Sequence, residues 1–193
     1  MTENSLDKEQ QIVNHLVGTF QNLTGKVKRN RRIEVSIEKK QITSVLNYVK
    51  DHLGFIHFSH MSCVDWLEDG YFELVYILWS PEQKIQLLVK ALVDRENASV
   101  ENADMIWRQL NTYQREIREM FGVNFIGMKG DKEFILEDWD NMPPMRRDFN
   151  TVDYIQEVYF ERPGREDAQN VRETISKRTG EEIPEVATKY SRD

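Results

Sequence analysis

The feature that most constrains this fold is a succession of three strand-like segments joined by two short turns. The segments occupy residues 55–66, 71–79 and 84–93, and each is rich in β-branched and aromatic side chains. Each turn between them is four residues long. Because strands so close in sequence pair with their neighbours, this region predicts an antiparallel three-stranded meander.

Two helices and a further strand precede the meander. Apolar residues recur every three or four positions in residues 5–20 and again in residues 42–53, which indicates two amphipathic helices. Gly25 closes the unit formed by the first helix, and Gly54 is placed to end the second in a left-handed conformation. Residues 32–38 alternate apolar and polar side chains, which is typical of a half-buried strand.

A third helix is predicted for residues 111–121. Asn111 is a suitable N-cap, and Gln114, three residues later, completes the pattern of a capping box. Gly122 follows as the natural left-handed end of the helix. The polar residues 97–104 before this helix predict a loop.

The order of these elements predicts an α+β fold, with helices packed on one face of a mixed, mainly antiparallel sheet. The chain has 193 residues and 39% hydrophobic content, so we expect one domain over residues 1–160. Residues 161–193 are dense in charge and sparse in apolar side chains. On composition they form either a disordered tail or an extended C-terminal arm that orders against a partner.

Charge and cysteine content exclude several classes of protein. The net charge of −7 argues against a nucleic-acid partner, and the single cysteine, Cys63, excludes an internal disulfide and favours a reducing compartment. No run of residues approaches the ~18 apolar residues of a membrane span. The polar start of the chain lacks the pattern of a secretory signal. We therefore expect a cytosolic protein, or one on the cytosolic face of a membrane.

A basic segment runs from Lys26 to Arg32 and holds five basic residues among seven. Three interpretations stay open at this point. The net negative charge of the whole chain favours the first interpretation, a solvated turn that leads into the next strand. The others are a nucleic-acid-binding arm, and a basic rim that meets an acidic partner or lipid headgroups.

Residue types that suit a zinc site occur close together in one region: His52, His57, His60, Cys63 and Asp65. If residues 55–66 form a regular strand, His57 and Cys63 point to one face of the sheet and His60 to the other. Side chains on opposite faces cannot share one tetrahedral ion, so we interpret these positions as ordinary strand residues. A small hydrolase that uses His57 or His60 remains a hypothesis.

The stretch from Trp107 to Phe149 is rich in carboxylates, as a paired-carboxylate enzyme requires: Glu116, Glu119, Glu137, Asp138, Asp140 and Asp148. Each of them, however, has a plausible arginine neighbour, and acidic residues are common in this chain. Arg146, Arg147 and Asp148 suit salt bridges across an interface, because the planar fork of arginine binds carboxylates through two hydrogen bonds. No phosphate-binding glycine loop or nucleophile elbow occurs.

Two ordered motifs in this stretch carry a resemblance to a known family. Ile106-Trp107 is followed by Gln114-Arg115-Glu116-Ile117-Arg118-Glu119-Met120-Phe121-Gly122-Val123-Asn124-Phe125 and later by Pro144-Met145-Arg146-Arg147-Asp148-Phe149. The earlier run Ser62-Cys63-Val64-Asp65-Trp66 supports it. Residues 30–160 thus resemble the 30-kDa subunit of respiratory complex I (named C, or J in chloroplast-type complexes) and its counterparts in group-4 membrane-bound hydrogenases and sulfane-reducing complexes.

The chain departs from the family pattern at several positions. Gln114 replaces the first Glu of the family motif, Met128 stands where a His is usual, and Pro143 replaces a second His. Lys132 and Glu133 interrupt a pair of arginines. These differences fit the hydrogenase or sulfane-reductase branch about as well as complex I itself.

The resemblance implies an assembly subunit without catalytic residues or a cofactor of its own. It would dock on the hydrogenase-like large subunit of the 49-kDa type, beside the iron–sulfur small subunit, in the electron-transfer arm of an ion-pumping membrane oxidoreductase. Iron–sulfur clusters, with a NiFe site or a quinone as further options, are expected in those partners. The protein would lie at the cytoplasmic face of the cell membrane and reach the membrane only through the complex.

Eight residues of the stretch from Trp107 to Phe149 are predicted to contact the partner: Arg115, Glu116, Glu119, Trp139, Arg146, Arg147, Asp148 and Phe149. The alternative function is a stand-alone acidic binding module that uses the segment from Lys26 to Arg32 to bind nucleic acid or anionic lipid. That module predicts salt-sensitive binding by the isolated chain.

Overall fold

The fold is described from a computed structural model, which covers residues 6–128 and 133–159, with side chains up to residue 155. The chain divides into two units, Met1–Phe149 and Asn150–Asp193. Helix α4 (Thr151–Tyr159) belongs to the second unit. The arm predicted from Glu161 to Asp193 lies outside the described residues.

The first unit is built on a five-stranded sheet with the strand order β1-β2-β5-β4-β3. Its strands are β1 (Thr24–Arg29), β2 (Arg32–Glu38), β3 (His57–Trp66), β4 (Tyr71–Ser80) and β5 (Ile85–Asp94). Strands β3, β4 and β5 form the antiparallel meander, while β2 pairs with β5 in parallel. The predicted α+β fold with a mixed, mainly antiparallel sheet is therefore confirmed.

Three helices complete the first unit: α1 (Asp7–Thr19), α2 (Ile42–Leu53) and α3 (Leu110–Phe121). A short 3-10 turn, Lys39–Gln41, precedes α2, and strands β6 (Ser99–Glu101) and β7 (Asn124–Ile126) form a separate parallel pair. Gly54 and Gly122 end α2 and α3 with φ of 69° and 82°, so both left-handed ends predicted from sequence are present.

The core lies between the helices and one face of the sheet. Leu74, Tyr76 and Leu78 of β4 are fully buried on this face. Phe121 of α3 meets the edge of the Phe72 ring, with the two ring centroids 6.0 Å apart. The opposite face, which we call the open face, carries the alternate strand residues.

Gly25 has a different role from the predicted one. The first helix ends at Thr19 with Phe20 as its C-cap, and Gly25 lies within β1. A Cβ atom at Gly25 would lie 2.9 Å from Cγ1 of Val13, so the absence of a side chain allows α1 to pack closely on the strand.

Three other sequence predictions are wrong in detail. Four of the basic residues predicted to lie in a solvated turn instead belong to β1 or begin β2, because β1 is an edge strand whose polar side chains point outward. The predicted loop 97–104 contains β6. Helix α3 begins at Leu110 after Gln109 without a side-chain cap, and Gln114 is fully buried, so no capping box forms there.

Candidate functional site

The two halves of the central stretch lie against each other. Residues 133–149, which we call the strap, run alongside α3. The backbone N–H of Met145 donates to the carbonyl of Met120 at 3.0 Å. A Cβ atom at Gly122 would lie 3.2 Å from Cγ of Pro143, so the strap and the end of α3 are in close contact.

Glu119 fixes the beginning of the strap. Its carboxylate accepts the backbone N–H groups of Phe134, Ile135 and Leu136 at 2.5, 2.9 and 2.9 Å. Partial burial by itself raises the pKa of Glu119, but these three hydrogen bonds and the nearby Arg115 outweigh it and lower the pKa below its ordinary value. The ionised carboxylate therefore replaces the partners that these N–H groups would find in a regular element.

Aromatic and cationic side chains extend this contact. The Arg115 guanidinium donates to the carbonyl of Glu133 and lies 6.0 Å from the ring centroid of Phe134. Trp139 donates its Nε1–H to the carbonyl of Met142 at 3.1 Å and packs against Phe149, with ring centroids 5.8 Å apart. The strap is thus held by side chains along much of its length.

The far end of the strap is held by an ion-pair cluster, the Asp65 clamp, which consists of Asp65, Arg95 and Asp148. Asp65 accepts from Nε and Nη2 of Arg95 at 2.8 and 3.2 Å, and its Oδ2 also accepts the backbone N–H of Arg147 at 2.8 Å. Arg95 reaches Asp148 at 2.5 Å. The side chains of Asp65 and Arg95 are only 2% and 10% exposed.

The charges of the clamp reinforce one another. The hydrogen bond to Asp65, and to a smaller extent the one to Asp148, raises the pKa of the Arg95 guanidinium above its ordinary value. The bond from Arg95 in turn lowers the pKa of Asp148. Arg95 and Asp148 therefore stay charged at neutral pH, and the strap is tied to the end of strand β3.

The two arginines of the second motif differ in their surroundings. Arg146 lies 5.7 Å from the ring centroid of Phe72, and its Nε is 3.4 Å from Asp148. Arg147 forms two hydrogen bonds with Glu68, at 2.5 and 2.8 Å, in a pair whose side chains are 50% and 68% exposed. Arg147 is therefore more open to solvent than Arg146.

The structure thus brings seven of the eight predicted contact residues into one cluster on α3 and the strap: Arg115, Glu119, Trp139, Arg146, Arg147, Asp148 and Phe149. Glu116 lies half-buried on the same helix. Glu119 and Asp148 already accept hydrogen bonds within the chain, so neither is placed as a free general base. Their contact with a partner stays a prediction.

Three exposed apolar residues of the strap were missed by the sequence analysis. Ile135, Met142 and Met145 are 68%, 40% and 57% exposed. Their signal in the sequence is weak, because each is a single apolar residue among charges and prolines. The structure shows each of them exposed on a backbone that Glu119 and the Asp65 clamp hold in place.

The suggested zinc ligands are separated, although the predicted face of His57 was wrong. An irregularity between Phe58 and His60 shifts the register of β3. As a result His57 lies on the open face, opposite Trp79, while Cys63 lies on the core face. The His60 ring meets Tyr113 of α3, with ring centroids 5.0 Å apart. Within residues 6–128 and 133–155, no three His, Cys, Asp or Glu side chains are grouped to hold a metal ion.

Cys63 is also unsuited to nucleophilic chemistry. Burial, with a smaller contribution from Asp65, raises the pKa of its thiol to about 12. A thiol with such a pKa carries very little thiolate at neutral pH, and the thiolate is the reactive form.

The basic segment is partly neutralised within the sheet. Lys26 and Lys28 of β1 lie 3.4 and 3.3 Å from the carboxylate of Glu34 on β2, and Lys90 of β5 lies 3.7 Å from it. These lysines lower the pKa of Glu34 despite its burial, which alone would raise it. Two of the five basic residues therefore already have an acidic partner.

Comparison with known proteins identifies relatives over much of the chain. The chain is 31% identical over 130 residues to the C/D subunit of NADH-quinone oxidoreductase from Hydrogenobaculum sp., covering 66% of this chain but only 22% of that longer protein. It is 27% identical over 145 residues to the C subunit of F(420)H(2) dehydrogenase from Methanosarcina mazei, covering 72% of this chain and 89% of the relative.

Solved structures show the same fold. A chain of the membrane-bound sulfane sulfur reductase, an archaeal respiratory membrane complex, superposes with a TM-score of 0.73 at 30% identity, covering 80% of this chain and 93% of that one. A trypsin-resistant fragment of Nqo5 superposes with a TM-score of 0.53 at 18% identity, covering 65% of this chain and 98% of the fragment.

Among the helices in the described part of the chain, none is long and apolar enough to cross a bilayer. The family model described as respiratory-chain NADH dehydrogenase, 30 Kd subunit, matches residues 35–155, which include the whole of α3 and the strap. The chain therefore belongs to the family of the 30-kDa subunit of respiratory-chain NADH dehydrogenase.

Proposed function

We propose that this protein is a non-catalytic assembly subunit of a complex I-like, ion-pumping membrane oxidoreductase. In this proposal it docks on the hydrogenase-like large subunit of the peripheral, electron-transfer arm. The observation that carries the proposal is the strap, which is locked onto α3 and presents Ile135, Met142 and Met145 to solvent. A rigid surface of this kind loses little entropy when it binds a partner.

The charges of α3 and the strap have a supporting role in this proposal. Glu119 and the Asp65 clamp are used within the chain, where they fix the backbone of the strap. The exposed methionines and isoleucine then supply the apolar centre of the contact, while Arg147 and Glu68 lie at its polar rim. This division matches the usual anatomy of a protein interface, in which the centre is apolar and the rim is charged.

The C/D relative supports the identity of the partner. In that protein, whose name joins the letters C and D, the part similar to this chain makes up 22% of one longer polypeptide. In organisms where two proteins are fused into one chain, the fusion keeps the two parts close together. We propose that the D part of such fused chains corresponds to the large subunit on which this chain docks.

Cofactors are proposed to lie in the partners. Iron–sulfur clusters, with a NiFe site or a quinone as further options, would belong to the large subunit and to the iron–sulfur small subunit. The protein would reach the cytoplasmic face of the membrane through those subunits. Support comes from the sulfane sulfur reductase chain, which is part of a membrane complex and shares 30% sequence identity with this protein.

A co-purification experiment tests this function. The chain is tagged, expressed in its native host, and purified from membranes with the combined changes Ile135→Asp and Met145→Asp. We expect the large subunit to be lost from the purified complex, because two carboxylates would be buried without partners at the contact. Recovery of the large subunit at the yield of the unchanged chain would refute the proposal.

Met105→Asp is the matched control. Met105 is 92% exposed and lies in the loop between β6 and α3, outside the strap in sequence. The substitution is chemically the same, so it reproduces any general effect of an added surface charge. We expect the control to co-purify with the large subunit as the unchanged chain does, and all variants to unfold at the same temperature.

A further inference from the structure

Four large apolar side chains lie exposed together on the open face of the sheet, and we call them the open-face patch: Val64, Trp66, Tyr71 and Leu92. They are 38%, 43%, 43% and 53% exposed. Trp66 of β3 is directly opposite Tyr71 of β4, and Val64 and Leu92 both pair with Glu73 from its two sides. Paired residues point to the same face of a sheet, so the four side chains form one continuous surface.

The patch has the composition of a binding surface. Exposed apolar residues on a soluble protein are usually scattered singly, whereas here they are contiguous. Tryptophan and tyrosine are the residues most enriched among those that dominate binding energy. The Asp65 clamp holds the strand beneath them, since Asp65 lies between Val64 and Trp66 and points to the core face.

An acidic recess of about 350 Å³ adjoins the patch at Tyr71. Its carboxylates come from Asp69, in the turn between β3 and β4, and from Asp94 and Glu96 at the end of β5 and just after it. The N–H of Arg95 donates to the Gly70 carbonyl at 3.0 Å, which holds these two stretches side by side.

No cation within the described residues forms an ion pair with Asp69, Asp94 or Glu96. The Asp94 carboxylate accepts the backbone N–H groups of Glu96 and Asn97, at 2.9 and 2.8 Å. Arg95 also lines the recess, but its guanidinium donates to Asp65 and Asp148. The recess therefore keeps a negative potential beside the exposed ring of Tyr71.

We infer that the open-face patch and this recess form a second docking surface for a polypeptide segment in which a lysine or arginine is flanked by apolar residues. The inference rests on the proposed function only in that the protein works within a complex. The cationic side chain enters the recess between the carboxylates and the Tyr71 ring, where cation–π attraction adds to the ion pairs. The flanking apolar residues cover Trp66 and Leu92.

Electrostatic repulsion argues against other ligands at this surface. A second copy of the chain would meet the patch through the same patch, and a two-fold contact would bring both sets of carboxylates together. Nucleic acid and anionic lipid carry the same sign of charge as the recess and are repelled. A cationic segment of a partner protein is the occupant whose charge and apolar content both complement the surface.

Photo-crosslinking in the assembled complex identifies the occupant. Tyr71→p-benzoylphenylalanine keeps an aromatic ring at the centre of the surface, and the complex is purified, irradiated and digested. We expect crosslinks to one segment of another subunit that contains a lysine or arginine beside apolar residues. Crosslinks to lipid, to a second copy, or to a segment without a cation would overturn the inference, as would their absence. The same replacement at Met105 is the control.

Substitutions measure the strength of the contact. Trp66→Ala with Tyr71→Ala should weaken retention of this subunit in the complex roughly thirtyfold, as expected for loss of a dominant aromatic contact. Asp69→Lys with Glu96→Lys should weaken retention and reverse its dependence on salt. Asp51→Lys, at an exposed position on α2, is the matched charge control and should change neither. Equal retention of both double variants and the control would overturn the inference.

The two proposals fail in different ways. If Ile135→Asp with Met145→Asp releases the large subunit but the patch variants release nothing, the second surface is wrong and the proposed function stands. If the strap variant also retains every subunit, the proposed function itself is wrong. Thermal unfolding of each purified variant shows whether a loss of retention comes from the surface or from a loss of fold.

Discussion

Asp65→Asn is the substitution that most directly tests how the strap is held. The Asp65 side chain is 2% exposed and accepts two hydrogen bonds from Arg95 and one from the backbone of Arg147. The neutral amide removes the charge that faces a guanidinium only 10% exposed to water. Breaking a buried ion pair by removing one partner costs about 3 to 5 kcal/mol.

The lower end of that range applies here, because Arg95 keeps a second carboxylate. Asp148 remains within 2.5 Å of its Nη2, so the guanidinium is not left wholly unpaired. We therefore expect Asp65→Asn to lower the free energy of unfolding by about 3 kcal/mol. For a domain of this size that corresponds to a fall in Tm of roughly 6 to 12 °C.

The assay is thermal unfolding of the purified chain followed by circular dichroism at neutral pH. Hydrogen exchange supplies a local measurement, since asparagine offers one acceptor oxygen in place of two to Arg95 and Arg147, and the Arg147 amide should exchange faster. Glu68→Gln is the control: it breaks a bidentate bond to the same strap, but between exposed side chains, and should leave Tm unchanged. Adding Arg95→Met to Asp65→Asn should recover part of the loss by removing the unpaired charge. An Asp65→Asn chain with the Tm of the unchanged protein would show that the clamp does not stabilise the fold.

Two further predictions concern polar groups of α3. Gln114 is fully buried, and neither its amide oxygen nor its nitrogen has a hydrogen-bond partner among the described residues, so Gln114→Met should raise the free energy of unfolding by about 1 kcal/mol in urea titrations. A decrease would indicate a partner for the amide. The folded-state pKa of Glu119 lies below its ordinary value of 4.5, so its contribution to stability is complete above that pH and is lost as the pH falls through the lower, folded-state pKa. Unfolding free energies measured at about pH 7 and about pH 3.5 should therefore differ less for Glu119→Gln than for the unchanged chain, and an equal difference would refute this role.

Elements defined by local patterns were predictable from the sequence. The meander follows from three β-prone segments with short turns, and α2 and α3 end where glycine follows a helical repeat. These features depend on neighbouring residues only. Edge strand β1 was missed, because Val27 is its single large apolar residue and an edge strand need not bury both faces.

Most features that could not be predicted from the sequence depend on contacts between segments far apart in the chain. The parallel pairing of β2 with β5 joins distant segments, and the register shift near Ser59 placed His57 on the face opposite that of Cys63, where the sequence had predicted a shared face. In the candidate site, the residues of both motifs were predictable as a set. Their partners within the chain were not, since the bond from Arg147 to Asp65 spans 82 positions.

The fixed position of the strap bears on how the family motif is to be understood. A charged motif on a docking subunit first suggests salt bridges to the partner, yet Glu119 and Asp148 are already used within this chain. Exposed ion pairs add little binding energy, whereas apolar side chains on a rigid backbone add a good deal. A substitution at Glu119 or Asp148 should therefore weaken assembly indirectly, through loss of order in the strap, and should lower the stability of the isolated chain as well. A substitution at Met145 should weaken assembly alone, and this contrast separates residues that hold the strap from residues that contact the partner.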